Sequence, residues 1–434
     1  MSDKQIFPIK TDTACLLKWA WSTIYFNSGT SASCHRTQKY AIDPDNFGNF
    51  HNLADKVTAR ETMLNGQWPM AGCNIACKSV EDSGGVSYRQ FNLTQQTTTL
   101  QTPPELINNA QETKVTPTML EVYFTNTCNM SCVYCGPHFS SQWEAENIKF
   151  KKEFSVYSNE DKFAVTKRQE NLHYDSMVAN LWKWLADDDH YKVLQRYHIL
   201  GGEPFLLKEL DDSINFWAGH PNPDLVFSIV SNLNISPKRF QMYIKKFERL
   251  VLTNKIWKLE LTASLDCWSK EHQEYVRTGL NLDTWLENFE FCINKPWISL
   301  SINSAISALT IKHLPALIEK INSWNKQQLR DAGRWKASPI VHSFFPSGHI
   351  DNIFNFGPTV FAKEFQQVLA LMPTDTEIQR GQKLVMQGNA MKLLQSSQNL
   401  DNINNLKLYL DELDVRRNTN WRVLFPWLDQ NFSV

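Results

Sequence analysis

The sequence predicts an α/β fold in which parallel strands curl into a partial (β/α)6 barrel, preceded by a cysteine-rich segment and followed by a helical region. After Thr118, six short apolar segments alternate with longer amphipathic stretches, which is typical of parallel β/α units. Right-handed crossovers curl such a sheet toward a barrel and gather its chemistry at the carboxyl ends of the strands. Seven of the nine cysteines lie before the first strand or directly after it, so candidate metal ligands are concentrated there.

The strand-like segments comprise residues 120–125, 196–200, 226–230, 259–265, 298–303 and 339–345. Amphipathic helical patterns lie between them at 176–187, 236–250, 283–294 and 312–328. The chain changes character after residue 346 and shows helical patterns at 361–372, 376–395 and 400–415, which we expect to pack against the barrel. Residues 140–175 are polar and rich in Lys and Glu, which indicates a solvated helix or an insertion near the barrel mouth.

The region before the barrel is predicted to be a separate unit. Residues 15–36 indicate a β-hairpin with its turn at 27–29, and the amphipathic helix that follows ends near Gly66. A Thr/Gln/Pro-rich stretch with few apolar anchors then indicates a linker. We therefore predict an amino-terminal unit at 1–91, a linker at 92–117, the barrel at 118–346 and a helical region at 347–434.

Composition and charge exclude several classes of function. The chain has 44 basic and 45 acidic residues, so it lacks the positive charge that nucleic acids or anionic membranes attract. It contains no apolar run of 18 residues and no apolar secretory segment at its start, so we expect a cytoplasmic protein that neither crosses nor binds a membrane. In that compartment, nine cysteines indicate metal binding or catalysis rather than disulfides.

Three cysteines follow the first strand in a C-x3-C-x2-C run: Cys128, Cys132 and Cys135. Three thiolates on one short loop can hold a compact inorganic core, and a [4Fe–4S] cluster held in this way keeps one iron open to an outside ligand. A zinc site would need a fourth ligand, for which His138 is the nearest candidate. Three unrelated buried thiols are the remaining alternative.

A glycine-rich segment follows the second strand and reads Gly201, Gly202, Glu203 and Pro204. Glycine lets a backbone approach a ligand closely, and a carboxylate beside it can accept hydrogen bonds from an ammonium group. A turn that merely ends the strand is the alternative. Taken with the cysteine run one β/α unit earlier, the segment favours a ligand site at this end of the strands.

These patterns resemble the radical S-adenosylmethionine (radical SAM) enzymes. In that family the signature is C-x3-C-x-aromatic-C, with Tyr134 here at the aromatic position, and a GGEP segment grips the amino group of SAM. The resemblance implies a TIM-like partial barrel and a [4Fe–4S] cluster on the three loop cysteines, whose open iron chelates SAM. It also implies reductive cleavage of SAM to methionine and a 5′-deoxyadenosyl radical, with Tyr134 against the adenine.

Two later strand ends extend the resemblance. Ser231 and Asn232 stand in the place of the family's Thr/Ser-Asn-Gly turn, although Leu233 replaces the glycine. Ser264 opens a segment similar to the family's S-L-D-G pattern, with Arg277 further along the chain. The resemblance implies that these residues bind SAM and that Arg277 pairs with its carboxylate, as a planar guanidinium does well. A surface salt bridge is the alternative for Arg277.

The S-L-D-G-like segment departs from the family pattern at its last position. Asp266 is followed by Cys267, where glycine is usual. In a loop at the barrel mouth, this thiol is a candidate catalytic donor of a hydrogen atom to a substrate radical, as some radical SAM epimerases require. A small buried residue is the alternative, and Asp266 could either bind SAM or stabilise the turn. Cys292 lies on a predicted helix and is expected in the core.

Four further cysteines lie in the amino-terminal region: Cys15, Cys34, Cys73 and Cys77. Four thiolates from a hairpin and a loop after a helix suit either zinc or a fully ligated cluster. The arrangement, with a Gly-x-Ser-x-Arg segment behind it, resembles the SPASM or twitch auxiliary-cluster domains of radical SAM enzymes, although it here precedes the barrel. The resemblance implies a second [4Fe–4S] cluster that accepts an electron or binds substrate; zinc and unligated thiols are the alternatives.

The resemblance implies an enzyme of the oxidoreductase, epimerase or crosslinking type that modifies a peptide or protein. A small molecule (an amino acid, sugar or nucleotide derivative) is the alternative substrate. A non-catalytic iron–sulfur or zinc-binding protein is the alternative from another class. An electron donor such as flavodoxin or ferredoxin is implied as a partner.

Overall fold

The computed structural model describes residues 7–70, 72–85, 87–95, 101–150, 171–327, 331–332, 335–336, 338–348 and 350–432. The fold is mixed α/β, with many helices and a nine-stranded, mostly parallel sheet. The coarse prediction of an α/β fold with parallel strands is therefore confirmed. Closure of these strands into a partial barrel stays a prediction.

The strands are β1 Trp21–Tyr25, β2 Thr30–Ala32, β3 Tyr40–Ala41, β4 Met119–Tyr123, β5 Arg196–Leu200, β6 Val226–Ser231, β7 Lys258–Ser264, β8 Ile298–Ile306, β9 Asp331–Ala332, β10 Trp335–Lys336 and β11 Val341–Pro346. The helices of the first half are α1 Leu16–Ala20, α2 Ala54–Leu64, α3 Ser79–Asp82, α4 Tyr88–Gln95, α5 Pro104–Asn108, α6 Ser141–Phe150, α7 Tyr174–Ala186, α8 His190–Val193 and α9 Lys208–Gly219. Those of the second half are α10 Pro237–Leu252, α11 Lys270–Val276, α12 Leu282–Ile293, α13 Leu314–Gln327, α14 Ala362–Leu371, α15 Glu377–Leu394, α16 Leu400–Arg417, α17 Trp421–Leu424 and α18 Pro426–Phe432.

The chain forms two compact units, and the first contains the described residues of 1–125, 169–229 and 246–259. In it β4 lies between β1 and β5 and is parallel to both, with Glu121 opposite Thr23 on one side and opposite His198 on the other. β6 continues the sheet in parallel beyond β5, and β2 and β3 are added antiparallel beyond β1. The amino-terminal hairpin thus extends the same sheet as the strand that precedes the cysteine loop.

The hairpin prediction is confirmed for β1 and β2, whose turn contains Gly29 with a φ of +64°. Residues 16–20 differ from the prediction because they form the short helix α1 instead of the start of a strand. All five side chains of α1 are buried, and a short run that is buried on every side carries no periodicity that separates helix from strand. Helix α2 ends at Leu64, close to the predicted end at Gly66.

The second unit contains the described residues of 126–168, 230–245 and 260–434. Here β8 and β11 pair in parallel, with Ile302 opposite His342. Helices α12 and α13 pack through aromatic rings, with Phe289 centred 4.8 Å from both Trp285 and Trp324. Cys292 is fully buried on α12, so its expected place in the core is confirmed.

The six strand-like segments and seven helical patterns after Thr118 correspond to observed elements whose ends differ by at most three residues. Of the polar stretch 140–175, residues 141–150 form α6, and residues 151–170 lie outside the described residues. Part of the linker proposed at 92–117 is helical, in α4 and α5, and its residues 96–100 also lie outside that range. The domain boundaries stay predictions. Over the described part of the chain, no helix combines the length and apolar character that a bilayer span requires.

Candidate functional site

The C-x3-C-x2-C loop begins after β4 and is fastened through its backbone. Its three cysteines, Cys128, Cys132 and Cys135, are half-buried. The Ser131 amide donates to the carbonyl of Thr278 at 2.9 Å, and the Val133 amide donates to that of Val276 at 2.8 Å. The Trp143 indole donates to the Cys132 carbonyl at 2.8 Å. Hydrogen bonds at successive points therefore hold the loop in one conformation.

The carboxyl-terminal helix α16 supplies two further contacts to this loop that the sequence did not reveal. The Tyr409 hydroxyl donates to the Val133 carbonyl at 2.5 Å. Arg417 donates to the Thr278 hydroxyl at 2.9 Å, and its guanidinium lies 4.7 Å from the centre of the Trp143 ring. Because these partners are more than 130 residues apart in sequence, no local pattern could have indicated them.

A buried ion pair lies beside the cysteine loop. Arg277 donates from Nε and Nη2 to the two oxygens of Asp266, at 2.8 and 2.9 Å. The Tyr134 hydroxyl donates to the same carboxylate at 2.8 Å. Burial is the largest single influence and alone would lower the pKa of Arg277, but Asp266, Tyr134 and Cys132 together outweigh it and raise this pKa. The Arg277 guanidinium also lies within electrostatic reach of the Cys132 thiol.

Within the protein, Arg277 pairs with Asp266. A salt bridge was the alternative to SAM binding for Arg277, and a salt bridge is observed, although it is buried rather than on the surface. Asp266 also accepts from the Ala305 amide at 2.9 Å, so it stabilises the end of β7 as one of its two predicted roles requires. Binding of SAM by Arg277, Asp266 or Tyr134 stays a prediction. Ser264, the last residue of β7, is half-buried.

Cys267 is fully buried in the turn after β7. Its thiol donates to the Gln273 side-chain oxygen at 3.5 Å, and the same oxygen accepts from the backbone amides of Cys267 and Asp266 at 2.9 and 3.1 Å. Burial raises the pKa of the thiol above its ordinary value. A hydrogen-atom donor must reach its substrate, so this placement does not support the predicted catalytic role, which stays a prediction.

The turn after β6 brings an amide to the cysteine loop. The Asn232 side chain donates to Asn129 at 2.9 Å and lies 3.8 Å from the Cys128 sulfur, as an N–H···S hydrogen bond. The Ser231 hydroxyl accepts from the Leu233 amide at 2.9 Å. Leu233 has a φ of +53°, in the left-handed region that favours glycine. The backbone at position 233 thus adopts a conformation that favours glycine, although the residue is leucine.

The Gly-Gly-Glu-Pro segment follows β5 in the first unit. Gly201 and Gly202 have φ values of +84° and +48°, and a Cβ on Gly201 would lie 2.5 Å from the Tyr123 ring. Glu203 is fully buried, and its carboxylate accepts from the Phe205 amide at 3.1 Å, where Pro204 begins a short 3-10 turn. The structure therefore requires glycine at position 201 for the turn itself. A role for the segment in SAM binding stays a prediction.

Replacing Gly201 with alanine is expected to destabilise the protein by about 1–3 kcal/mol, because the new Cβ meets the Tyr123 ring in a strained backbone conformation. Gly219→Ala is the matched control, since nothing lies within 4 Å of a Cβ at the end of α9. Denaturant unfolding of both variants measures the difference. Equal stabilities of the two variants would show that the turn tolerates a side chain.

The four amino-terminal cysteines lie near one another in the first unit. Cys15 precedes α1 and Cys34 follows β2, whereas Cys73 directly precedes a π-helical turn, Asn74–Lys78, that contains Cys77. Cys15 lies within electrostatic reach of Cys34 and Cys73, and Cys77 within reach of the same two thiols. Burial, with the neighbouring thiols, raises the pKa of Cys15 to about 12, and burial raises that of Cys34 to about 11. Metal binding here would release protons from these thiols.

The Gly-x-Ser-x-Arg segment fastens both ends of this cysteine group. Arg89 donates to the Ala14 carbonyl, next to Cys15, at 2.8 Å. It also forms an ion pair with Glu81 at 2.5 Å, and the Ser87 hydroxyl donates to the same carboxylate. Glu81 lies on α3, directly after the turn that carries Cys77. The serine and arginine thereby tie the segment after Cys77 to the segment before Cys15.

Both cysteine groups offer thiols as ligands, and thiolates select iron–sulfur clusters or zinc. Within the described ranges, no three side chains of His, Cys, Asp or Glu are close enough to hold one metal ion. In a [4Fe–4S] cluster each cysteine binds a different iron, whereas the four ligands of zinc share one ion. The two alternatives for the amino-terminal group therefore need different spacings of the same four thiolates.

A scan against models of protein families gives no match, and a search of curated proteins gives none either. Solved structures do match. Streptococcus suis SuiB bound to S-adenosylmethionine is 10% identical with a TM-score of 0.32, covering 74% of this chain and 64% of its own. SuiB bound to its precursor peptide SuiA is 11% identical with a TM-score of 0.35, covering 93% and 70%. TYW1 with a lysine-pyruvate adduct bound is 14% identical with a TM-score of 0.25, covering 56% and 68%.

This chain spans 64% and 62% of the first two matched SuiB chains, less than two thirds of their length. All of these matches are distant. With identities of 10–14% and TM-scores of at most 0.35, they carry no argument about activity, substrate or partner.

Proposed function

We propose that this protein is a radical SAM enzyme that modifies a peptide or protein. The observation that carries the proposal is the cysteine loop, which begins after β4 of a parallel sheet while the Gly-Gly-Glu-Pro segment follows the neighbouring strand β5. Chemistry in parallel β/α folds gathers at these strand ends. These two segments together carry the resemblance to the radical SAM signature.

When bound and reduced, a [4Fe–4S] cluster on Cys128, Cys132 and Cys135 supplies the electron that cleaves SAM. The chain's own residues prepare that site. The Asn232 amide donates toward the Cys128 sulfur, which stabilises negative charge on a ligand thiolate. Burial raises the pKa of Cys132, and the buried positive charge of Arg277 offsets part of that rise.

The residues proposed to hold SAM supply complementary groups. Gly201 and Gly202 expose backbone without side chains, and Glu203 supplies a carboxylate for the SAM ammonium group. Ser231 and Ser264 supply hydroxyls at two further strand ends. Tyr134 is held by Asp266, so its ring is oriented before any ligand binds. Pre-orientation of this kind lowers the entropy cost of binding.

We propose that Cys15, Cys34, Cys73 and Cys77 hold an auxiliary [4Fe–4S] cluster. Their donor set is entirely thiol, and three of the four side chains are buried, which suits a cluster shielded from solvent. The resemblance to SPASM and twitch domains supports a peptide or protein as substrate, because such enzymes most often act on peptides. The burial of Cys267 favours oxidation or crosslinking over an epimerisation that needs a thiol donor.

The test is SAM cleavage by the anaerobically purified protein, reconstituted with iron and sulfide and reduced with dithionite. We expect 5′-deoxyadenosine and methionine in equal amounts, even without substrate. Cys292→Ala is the control, because that thiol lies in the core on α12, and it should cleave SAM as the parent protein does. A protein that shows iron–sulfur absorbance but yields no 5′-deoxyadenosine would contradict the proposal.

A further inference from the structure

Besides Arg89, which is paired with Glu81, the first unit buries three cationic side chains. Lys18, Lys56 and Arg60 have exposures of 2%, 1% and 0%. Across the residues that the structure describes, none of the three forms an ion pair with a carboxylate. A buried charge is costly unless an opposite charge or several hydrogen bonds compensate it. Each of these cations therefore needs a compensating group within the unit.

Two of the three cations are compensated by neutral oxygen atoms. The Lys56 ammonium donates to the Ser22 hydroxyl at 3.0 Å and to the Phe50 carbonyl at 2.8 Å. Arg60 donates to the carbonyls of Lys18 and His51, each at 2.8 Å. These contacts explain how Lys56 and Arg60 are tolerated in the interior, and neither side chain is bonded to a cysteine in them.

Lys18 differs because its ammonium faces the thiols. It lies on α1, which begins directly after Cys15. Its positive charge acts to lower the pKa of Cys15, Cys34 and Cys73, so its ammonium lies within electrostatic reach of all three thiols. Three of the four proposed cluster ligands thus share one buried cation. A cation placed in this way needs an anion, and a four-thiolate cluster is anionic.

We propose that Lys18 raises the reduction potential of the auxiliary cluster, so that the cluster accepts an electron more readily. The proposal rests on the proposed function, specifically on a [4Fe–4S] cluster at the four amino-terminal cysteines. Reduction adds one negative charge to the cluster, and a nearby cation stabilises that added charge. Net charge, hydrogen bonds to the sulfurs and exclusion of solvent set such potentials, and Lys18 contributes to the first of these. Burial strengthens the effect because the local dielectric is low.

The test is a redox titration followed by electron paramagnetic resonance, in full-length protein that carries Cys128→Ala, Cys132→Ala and Cys135→Ala. Only the auxiliary cluster then contributes to the signal. Adding Lys18→Met removes the charge but keeps an unbranched side chain of similar length. We expect the equilibrium constant for one-electron reduction to fall at least about tenfold, which moves the midpoint potential about 59 mV more negative.

Two further variants, made in the same protein lacking the three loop cysteines, distinguish a specific effect of Lys18 on the reduction potential from a general effect of buried cations. Lys56→Met removes a cation that is bonded to Ser22 and Phe50, and it should shift the potential less than Lys18→Met does. Lys18→Arg keeps the charge and should keep a potential near that of the parent. An unchanged potential in Lys18→Met, an equal shift in Lys56→Met, or a full shift in Lys18→Arg would each overturn the proposal.

Iron analysis distinguishes failure of this inference from failure of the proposed function. Protein lacking the three loop cysteines should keep about four irons per chain. If it keeps one zinc or no metal, there is no cluster whose reduction potential Lys18 could raise, and the inference is overturned. SAM cleavage by protein with intact loop cysteines would still support the radical SAM function in that case.

Discussion

Protein in which Cys128, Cys132 and Cys135 are all replaced by alanine is expected to lose one of two clusters and all SAM cleavage. Iron should fall from about eight to about four atoms per chain, with acid-labile sulfide falling in parallel. The reason is that these three thiols lie on one loop and are the proposed ligands of a single cluster. The remaining iron should be held by the amino-terminal cysteines, which belong to the other compact unit of the chain.

Cys292→Ala is the matched control for loss of a thiol, because Cys292 is fully buried on α12 with no proposed ligand role. It should keep about eight irons. If the parent protein holds about four irons and the triple variant holds none, with one zinc retained in both, the amino-terminal cysteines form a structural zinc site. Iron that is absent from parent and variant alike would contradict both cluster proposals.

Replacing Arg277 with methionine is expected to lower the free energy of unfolding by about 3–5 kcal/mol, the usual cost of breaking a buried ion pair. The variant leaves Asp266 as an uncompensated charge that is 1% exposed. Asp266 also orients Tyr134 and binds the backbone at Ala305, so SAM cleavage should fall as well. Denaturant unfolding and 5′-deoxyadenosine formation measure the two effects separately.

Two further variants test whether the loss of stability in Arg277→Met is caused by the unpaired charge of Asp266. Asp266→Asn in the Arg277→Met background removes that charge and should recover part of the lost stability. Lys192→Met breaks the pair with Asp189, in which both side chains are 57% exposed, and should leave stability nearly unchanged because solvent screens the charges. A stability loss in Arg277→Met as small as that in Lys192→Met would show that the buried pair contributes little.

Elements with a strong local pattern could be predicted from the sequence. Strand β5 matches its predicted bounds, and α12 is displaced by one residue, because alternating and amphipathic patterns report burial directly. The parallel pairing of β1 with β4 could not be predicted, since it joins residues about a hundred positions apart. The short helix α1 was missed because all its side chains are buried and leave no polar face to reveal a period.

In the candidate site, too, features that depend on local sequence could be predicted and features that depend on tertiary packing could not. The cysteine spacing and the positive φ of Gly201 could be anticipated because they depend on neighbours in sequence. The contacts of Tyr409 and Arg417 with the cysteine loop depend on how α16 packs, and no sequence pattern encodes that. The burial of Cys267 likewise follows from Gln273, whose side-chain oxygen accepts three hydrogen bonds in the turn.

The central claim is that a cluster on the cysteine loop keeps one iron open and binds SAM there. Its most direct test is the electron paramagnetic resonance spectrum of the dithionite-reduced protein, recorded with and without SAM. Protein with intact loop cysteines should show two [4Fe–4S] signals, of which one changes when SAM is added. The variant lacking Cys128, Cys132 and Cys135 should show only a signal that SAM leaves unchanged. A spectrum that SAM does not alter in the parent protein would contradict the claim.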